Sequence, residues 1–309
     1  MMSRFPHNKN FAFSIFDDTD NSTVESIQPV YRLMRDLGFR TTKSVWPLAA
    51  APGARFGGST LQDADYLTWI RELHREGFEI GLHNVRSGSA PREIIVRGLE
   101  EFRSRIGEYP RAHANHSDNR ENIYWGSWRL SRASYRFVYT LGTLHRRHEH
   151  FYGNVRDSPY FWGDICKDRI RFVRNFVFNE INLERINPTL PYHDPSKPFV
   201  NFWFSSCEGA DVAKFCDMIS EANQDELAAE SGICIMYTHF ASGFCRDGKV
   251  HPVFEKLMRR LSKLNGWFVP VSELLEFLLA AKTQRTIPAR ELTRMENQWI
   301  RYKMRVGRG

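Results

Sequence analysis

The chain is short of the features that several large classes of protein need. Its five cysteines, Cys166, Cys207, Cys216, Cys234 and Cys245, are odd in number and include no CxxC pair. That argues against a disulfide framework and against a thiolate zinc site; reduced thiols in a cytoplasmic compartment are the simplest account. No segment approaches the roughly 20 apolar residues of a membrane span, and the opening MMSRFPHNKNFAF has no apolar run long enough for a secretory signal. A soluble, cytoplasmic protein is expected. Internal repeats and low-complexity segments are missing too. So is a body-wide positive charge. The formal net charge is +7, yet eight basic residues between Lys282 and Arg308 face only Glu291 and Glu296, which leaves residues 1–281 nearly neutral. No nucleic-acid partner is expected. Residues 282–309 stand apart as a basic C-terminal tail, read as a solvated terminal helix, with contact to an anionic membrane surface or an acidic partner as the alternative.

What is present is an alternation of apolar runs and amphipathic stretches. Phe11–Phe16 reads as a buried strand that ends in Asp17-Asp18-Thr19-Asp20. Val24–Leu37 has helical spacing, with Ser22 or Thr23 to cap it and Gly38 to stop it. Strands at Thr41–Leu48 and Phe78–His83 and helices at Asp63–Glu76 and Pro91–Ile106 follow, then a short strand at Arg111–His116. Residues 117–195 are less periodic and rich in aromatics. Strands are expected at Ile170–Phe178, Phe199–Phe204, Gly232–Tyr237 and Trp267–Val271, and helices at Asp211–Glu221, Val253–Leu264 and Ser272–Ala281. Strands that alternate with helices imply a parallel α/β sheet or barrel, here a single one over 1–281.

In a βα barrel the functional groups gather at the C-terminal ends of the strands. Four predicted strands end in such groups: Asp17-Asp18, His83, His116 and His239. One Asp with two His suits Zn²⁺ or a similar ion and leaves positions open for water. One strand-end His carries little weight; four together carry the reading. Aromatics make up 14% of the chain, which fits either a Phe-rich core or a cleft that stacks sugar rings.

The stretches FSIFDDTD, GFEIGLHN, and YTHF before GWFVPVSELLEFL, in that order, resemble the polysaccharide deacetylases of carbohydrate esterase family 4. The resemblance covers roughly 11–116 and 232–280. It implies an irregular (β/α)7 barrel that removes an N-acyl group, most simply N-acetyl, from an amino sugar of a polysaccharide or glycan precursor. It implies Asp17 as catalytic base, Asp18 and His83 as metal ligands, and His239 as the acid that protonates the leaving amine. The chain departs from the family where a second metal-binding His is expected one helical turn after His83, since Ser87 stands there. His116 is the expected substitute, and His113 the second choice, because residues 113 and 116 face opposite sides of a strand. Glu79, His113, Asn115 and Trp125 are candidate substrate contacts. His145, His148 and His150 read as a solvated surface. Two other functions compete. Asp18-Thr19-Asp20 with Gly163-Asp164 and Asp168 resembles a haloacid-dehalogenase-like phosphatase, and the missing His fits a carbohydrate-binding pseudoenzyme. The cytoplasmic reading points to a role in surface polysaccharide biosynthesis.

Overall fold

The computed structural model describes residues 4–142 and 150–306. Seven parallel strands form a closed ring: β1 (Phe11–Asp17), β2 (Thr42–Val45), β3 (Glu79–Leu82), β4 (Ala112–His113), β5 (Phe172–Phe178), β6 (Phe202–Cys207) and β7 (Ile233–Thr238). Each bonds to the next, and β7 closes the ring on β1 from Ala12↔Ile233 to Asp17↔Thr238. A short antiparallel hairpin, β8 (Cys245–Arg246) and β9 (Lys249–Val250), lies outside the ring. The last strand, β10 (Gly266–Phe268), pairs with Phe11–Phe13, whereas β2 pairs with β1 only at Phe16 and Asp17. It therefore fills the edge of β1 that β2 leaves open at the N-terminal end. This is the irregular (β/α)7 barrel that the alternation and the resemblance imply.

Helices α1 (Val24–Asp36), α2 (Ala64–Arg75), α3 (Arg92–Ile106), α4 (Ala133–Gly142), α5 (Gly163–Arg169), α6 (Val212–Met218), α7 (Glu221–Ala229), α8 (Pro252–Leu261) and α9 (Val271–Ala280) lie on the connections. Strands covered on both faces need apolar residues without alternation, and every residue of β1 is buried. Helix α1 starts at Thr23, whose hydroxyl accepts from Ser26 N while Ser26 Oγ accepts from Thr23 N, a reciprocal cap. It buries Ile27, Val30, Tyr31 and Met34. Where one helix ending near Glu221 was expected, Ser220 caps a second one, α7, with its hydroxyl on Asn223 N. His145 and His148 lie outside the described residues, and His150 is exposed. No helix among the described residues is long and apolar enough to cross a membrane.

The C-terminal segment differs most from expectation. Residues Ala289–Val306 form a helix, α10, that is not a solvated tail: Leu292, Met295, Glu296 and Trp299 are buried. Their i, i+3, i+4, i+7 spacing makes one continuous stripe. The Trp299 ring lies 5.2 Å from Phe176 of β5 and is stacked 5.6 Å from Tyr139 of α4. The buried Glu296 carboxylate accepts from both the N–H and the hydroxyl of Ser131. The exposed basic residues, Arg290 and Arg301 among them, ride on the other faces of the helix. Truncating Trp299 to Ala is expected to cost about 3–5 kcal/mol in urea unfolding; a loss below about 0.5 kcal/mol would mean that α10 is detached.

Candidate metal centre and cleft

At the C-terminal mouth of the barrel, three imidazoles converge on one carboxylate. Asp20 Oδ1 lies 2.8 Å from His116 Nε2, and Asp20 Oδ2 lies 2.9 Å from His239 Nε2 and 3.4 Å from His83 Nε2. His83 follows β3, His116 lies three residues beyond β4, and His239 follows β7. Asp20 stands on the turn after β1, so four strand ends contribute.

Each imidazole is fixed from behind. His83 Nδ1 is 3.0 Å from Ala114 O, His116 Nδ1 is 2.9 Å from Asn119 Oδ1, and His239 Nδ1 is 2.9 Å from Ala210 O. These acceptors engage Nδ1 and leave Nε2 facing Asp20, the orientation that metal-binding histidines use. The support extends one layer further. Asn84 takes a left-handed conformation (φ 54°) directly after His83, a geometry Asn tolerates well. Its Oδ1 accepts from His116 N at 2.8 Å, and its amide donates to Glu121 Oε1 and Asn122 Oδ1. Glu121, itself buried, also accepts from Ala90 N and Asn119. The loops that carry His83 and His116 are thus tied into one hydrogen-bonded unit.

Asp20 Oδ1 and His116 Nε2 are buried and 2.8 Å apart, yet neither makes a hydrogen bond of good geometry. Buried polar atoms are almost always satisfied, so two such orphans facing each other fit a pair of ligand atoms. Asp20, His83 and His116 form one group whose ligand atoms all lie within 4.8 Å of one another, and Asp18, Asp20 and His239 form another. Imidazole and carboxylate are the donors that Zn²⁺ and similar ions take. Burial alone would lower the His239 pKa, but the hydrogen bond to Asp20 and the charges of Asp18 and Asp20 raise it to about 9. Burial would likewise raise the Asp20 pKa, yet the three imidazoles hold it well below the usual carboxylate range.

The three acids of the β1 turn play unequal parts. Asp17 does not reach the cleft. Its carboxylate is fully buried, with Oδ2 3.0 Å from both Lys43 Nζ and Tyr31 OH, and Oδ1 accepts from Phe240 N at 2.8 Å. Three donors saturate it, so it is not placed to take a proton from a water in the cleft. Asp18 lines the cleft but is held by Arg174, at 3.0 Å (Nη1–Oδ1) and 2.5 Å (Nη2–Oδ2). Burial would raise its pKa, and Arg174 outweighs that and lowers it. Its nearest approach to His83 is 3.8 Å, at Nδ1 rather than Nε2. Asp20, the residue that sequence reasoning passed over as a ligand, is the carboxylate nearest the imidazoles.

The remaining expectations divide. Asn115 and Trp125 line the cleft, although the Asn115 amide is taken up by the backbone of Ile123. Glu79 does share a strand face with His83, but it begins β3 at the opposite end of the barrel, where it accepts from Thr42 and Ser272. His113 is fully buried against Trp162, with its Nε2 3.3 Å from Asn115 Oδ1. Neither touches the cleft. Asp164 pairs with Arg92 on the outer surface and the Asp168 side chain is exposed, so the acidic motif of a phosphatase is not assembled beside Asp18. The cleft has a volume of about 300 Å³ and is walled by Phe56, Trp125, Tyr237 and Trp299. Trp299 and Lys303 come from α10, which sequence reasoning had placed outside the barrel.

Two outcomes test this geometry. Metal analysis should find a divalent ion in the wild type that is lost in Asp20→Ala, His83→Ala and His116→Ala. Retention in His116→Ala with loss in His239→Ala would move the ion to the second group. Separately, Lys43→Met should destabilise the protein by about 3–5 kcal/mol, because it strands a buried carboxylate. Asp17→Asn with Lys43→Met should recover most of that loss in a urea-denaturation cycle; a base role for Asp17 predicts lost turnover with unchanged stability instead.

No protein-family profile matches the chain, and no curated protein matches it in sequence. Solved structures do match. One from Mycobacterium smegmatis assigned to the polysaccharide deacetylases aligns at 11% identity and a TM-score of 0.54, over 92% of this chain and 96% of that one. The allantoinase PuuE aligns at 11% identity and 0.53, over 91% and 94%. A structure from Pseudomonas aeruginosa PAO1, also assigned to the polysaccharide deacetylases, aligns at 11% identity and 0.51, over 90% and 94%. The resemblance first visible in short motifs therefore holds along nearly the whole chain as a likeness of fold.

Proposed function

We propose that the protein is a metal-dependent hydrolase that removes an N-acyl group, most simply acetyl, from an amino sugar of a polysaccharide or glycan precursor. The observation that carries the reading is the convergence of three imidazole Nε2 atoms on Asp20, each ring oriented by an acceptor on Nδ1. Asp20, His83 and His116 would hold the ion, with Zn²⁺ the best fit to the donor set. Such an ion supplies Lewis acidity, which lowers the pKa of water to about 7 and stabilises negative charge on a carbonyl oxygen.

The chain's own residues supply the proton transfers. Asp18, aligned by Arg174 and facing the cleft, accepts the proton of the attacking water. His239, kept protonated by Asp20 and Asp18, donates to the departing nitrogen as the C–N bond breaks, leaving a carboxylic acid and a free amine. Phe56, Trp125 and Tyr237 line the cleft with aromatic surface for the C–H face of a sugar. A precursor or lipid-linked glycan of surface polysaccharide assembly, handled in the cytoplasm, is the substrate this reading favours. The test is release of acetate and free amine from N-acetyl amino sugars by the zinc-loaded protein. His239→Ala should lower kcat by about 10²–10⁴-fold with the metal retained. Metal-loaded protein that turns over no N-acylated sugar would sink the acyl-transfer reading, and protein that binds sugar without metal would be a lectin-like pseudoenzyme.

A further inference from the structure

Helix α4 turns a row of large apolar side chains to solvent. Phe137, Val138 and Leu141 are 65%, 43% and 49% exposed, and Trp128, on the turn before the helix, is 40% exposed. Residues 137 and 141 stand one above the other with 138 beside them, so the row occupies one face. The other side of α4 is anchored: Tyr139 stacks on Trp299, the cleft wall of α10. The ridge therefore points outwards from a helix held firmly beside the cleft. Contiguous apolar surface of this kind marks an interaction site more often than a solvated face.

The charge around the ridge has one sign. Residues 127–141 carry Arg132 and Arg136 beside the buried Arg129, and no carboxylate; Glu296, which accepts from Ser131, is itself buried. The guanidiniums interleave with the aromatics: Arg136 lies 5.0 Å over the Trp128 ring and Arg132 5.6 Å from that of Tyr135. A second copy of the chain docked ridge to ridge would set one arginine-bearing patch against the same patch of its partner, since a two-fold interface uses one surface twice. An anionic lipid surface meets both features at once. Apolar side chains enter the headgroup boundary while guanidiniums face phosphate.

We propose that α4 and the turn before it form a docking surface for an anionic bilayer, which would hold the cleft beside the membrane. The test is co-sedimentation of the full chain with vesicles of phosphatidylcholine alone and of phosphatidylcholine mixed with phosphatidylglycerol. The expected result is binding to the mixed vesicles, reduced by about tenfold in Phe137→Asp/Leu141→Asp, with melting temperature and metal content unchanged. Val138→Asp gives the same comparison if the double variant folds poorly. The proposal is overturned by a wild type that ignores anionic vesicles. Undiminished binding by the ridge variants also overturns it, since basic residues alone would then suffice. So does a wild-type dimer that the ridge variants convert to monomer without any vesicle binding.

Discussion

A lysine with no access to solvent sits inside the barrel, and much of the cleft end follows from what it requires. Lys43 is central in β2, fully buried, and its ammonium cannot be left unpaired at that depth. Burial favours the neutral amine, but Asp17 outweighs burial and raises the Lys43 pKa. Asp17 is thereby committed to the interior. Its second oxygen takes the N–H of Phe240, the residue after His239, so one carboxylate ties the tip of β1 to the tip of β7. With Asp17 turned inwards, the next residues must turn out: Asp18 meets Arg174 and Asp20 meets the imidazoles.

The same logic of fixed partners runs through the cleft. None of the three imidazoles is free to choose its orientation, because a backbone carbonyl or the amide of Asn119 has already claimed the far nitrogen. Groups held in this way need no reorganisation when charge develops beside them, which is where enzymes gain most. The cost is a concentration of buried polar atoms at one end of the barrel, offset by the aromatic belt beneath it, where Phe16, Phe204 and their neighbours fill the ring.

Much of this was legible in the sequence. The strand and helix alternation gave the barrel, since apolar runs ending in Asp or His recur at the right spacing. Four strand ends named His83, His116, His239 and the β1 acids. The choice among Asp17, Asp18 and Asp20 was not legible, because a turn can aim consecutive carboxylates in any direction. Signals existed in the cations: Lys43 and Arg174 stand within strands that the barrel buries, and each had to find a buried acid. Glu79 shows the limit of periodicity, which places a residue on a face but not at the top or bottom of it. Helix α10 was misread because its charge was counted before its stripe; Leu292, Met295 and Trp299 had the spacing of a buried helix all along.

The position of α10 has a consequence for how the molecule comes into being. One wall of the cleft, Trp299, and the basic Lys303 belong to α10, while Asp18 and Asp20 stand on the turn after the first strand. Asp20 and the three imidazoles all lie before residue 240, so in a chain synthesised from its N-terminus this wall is the last part of the cleft to emerge. Until it does, the cleft lacks the wall that Trp299 and Lys303 supply. The polar cluster around Asp20 is thus complete in sequence before the chamber around it can close.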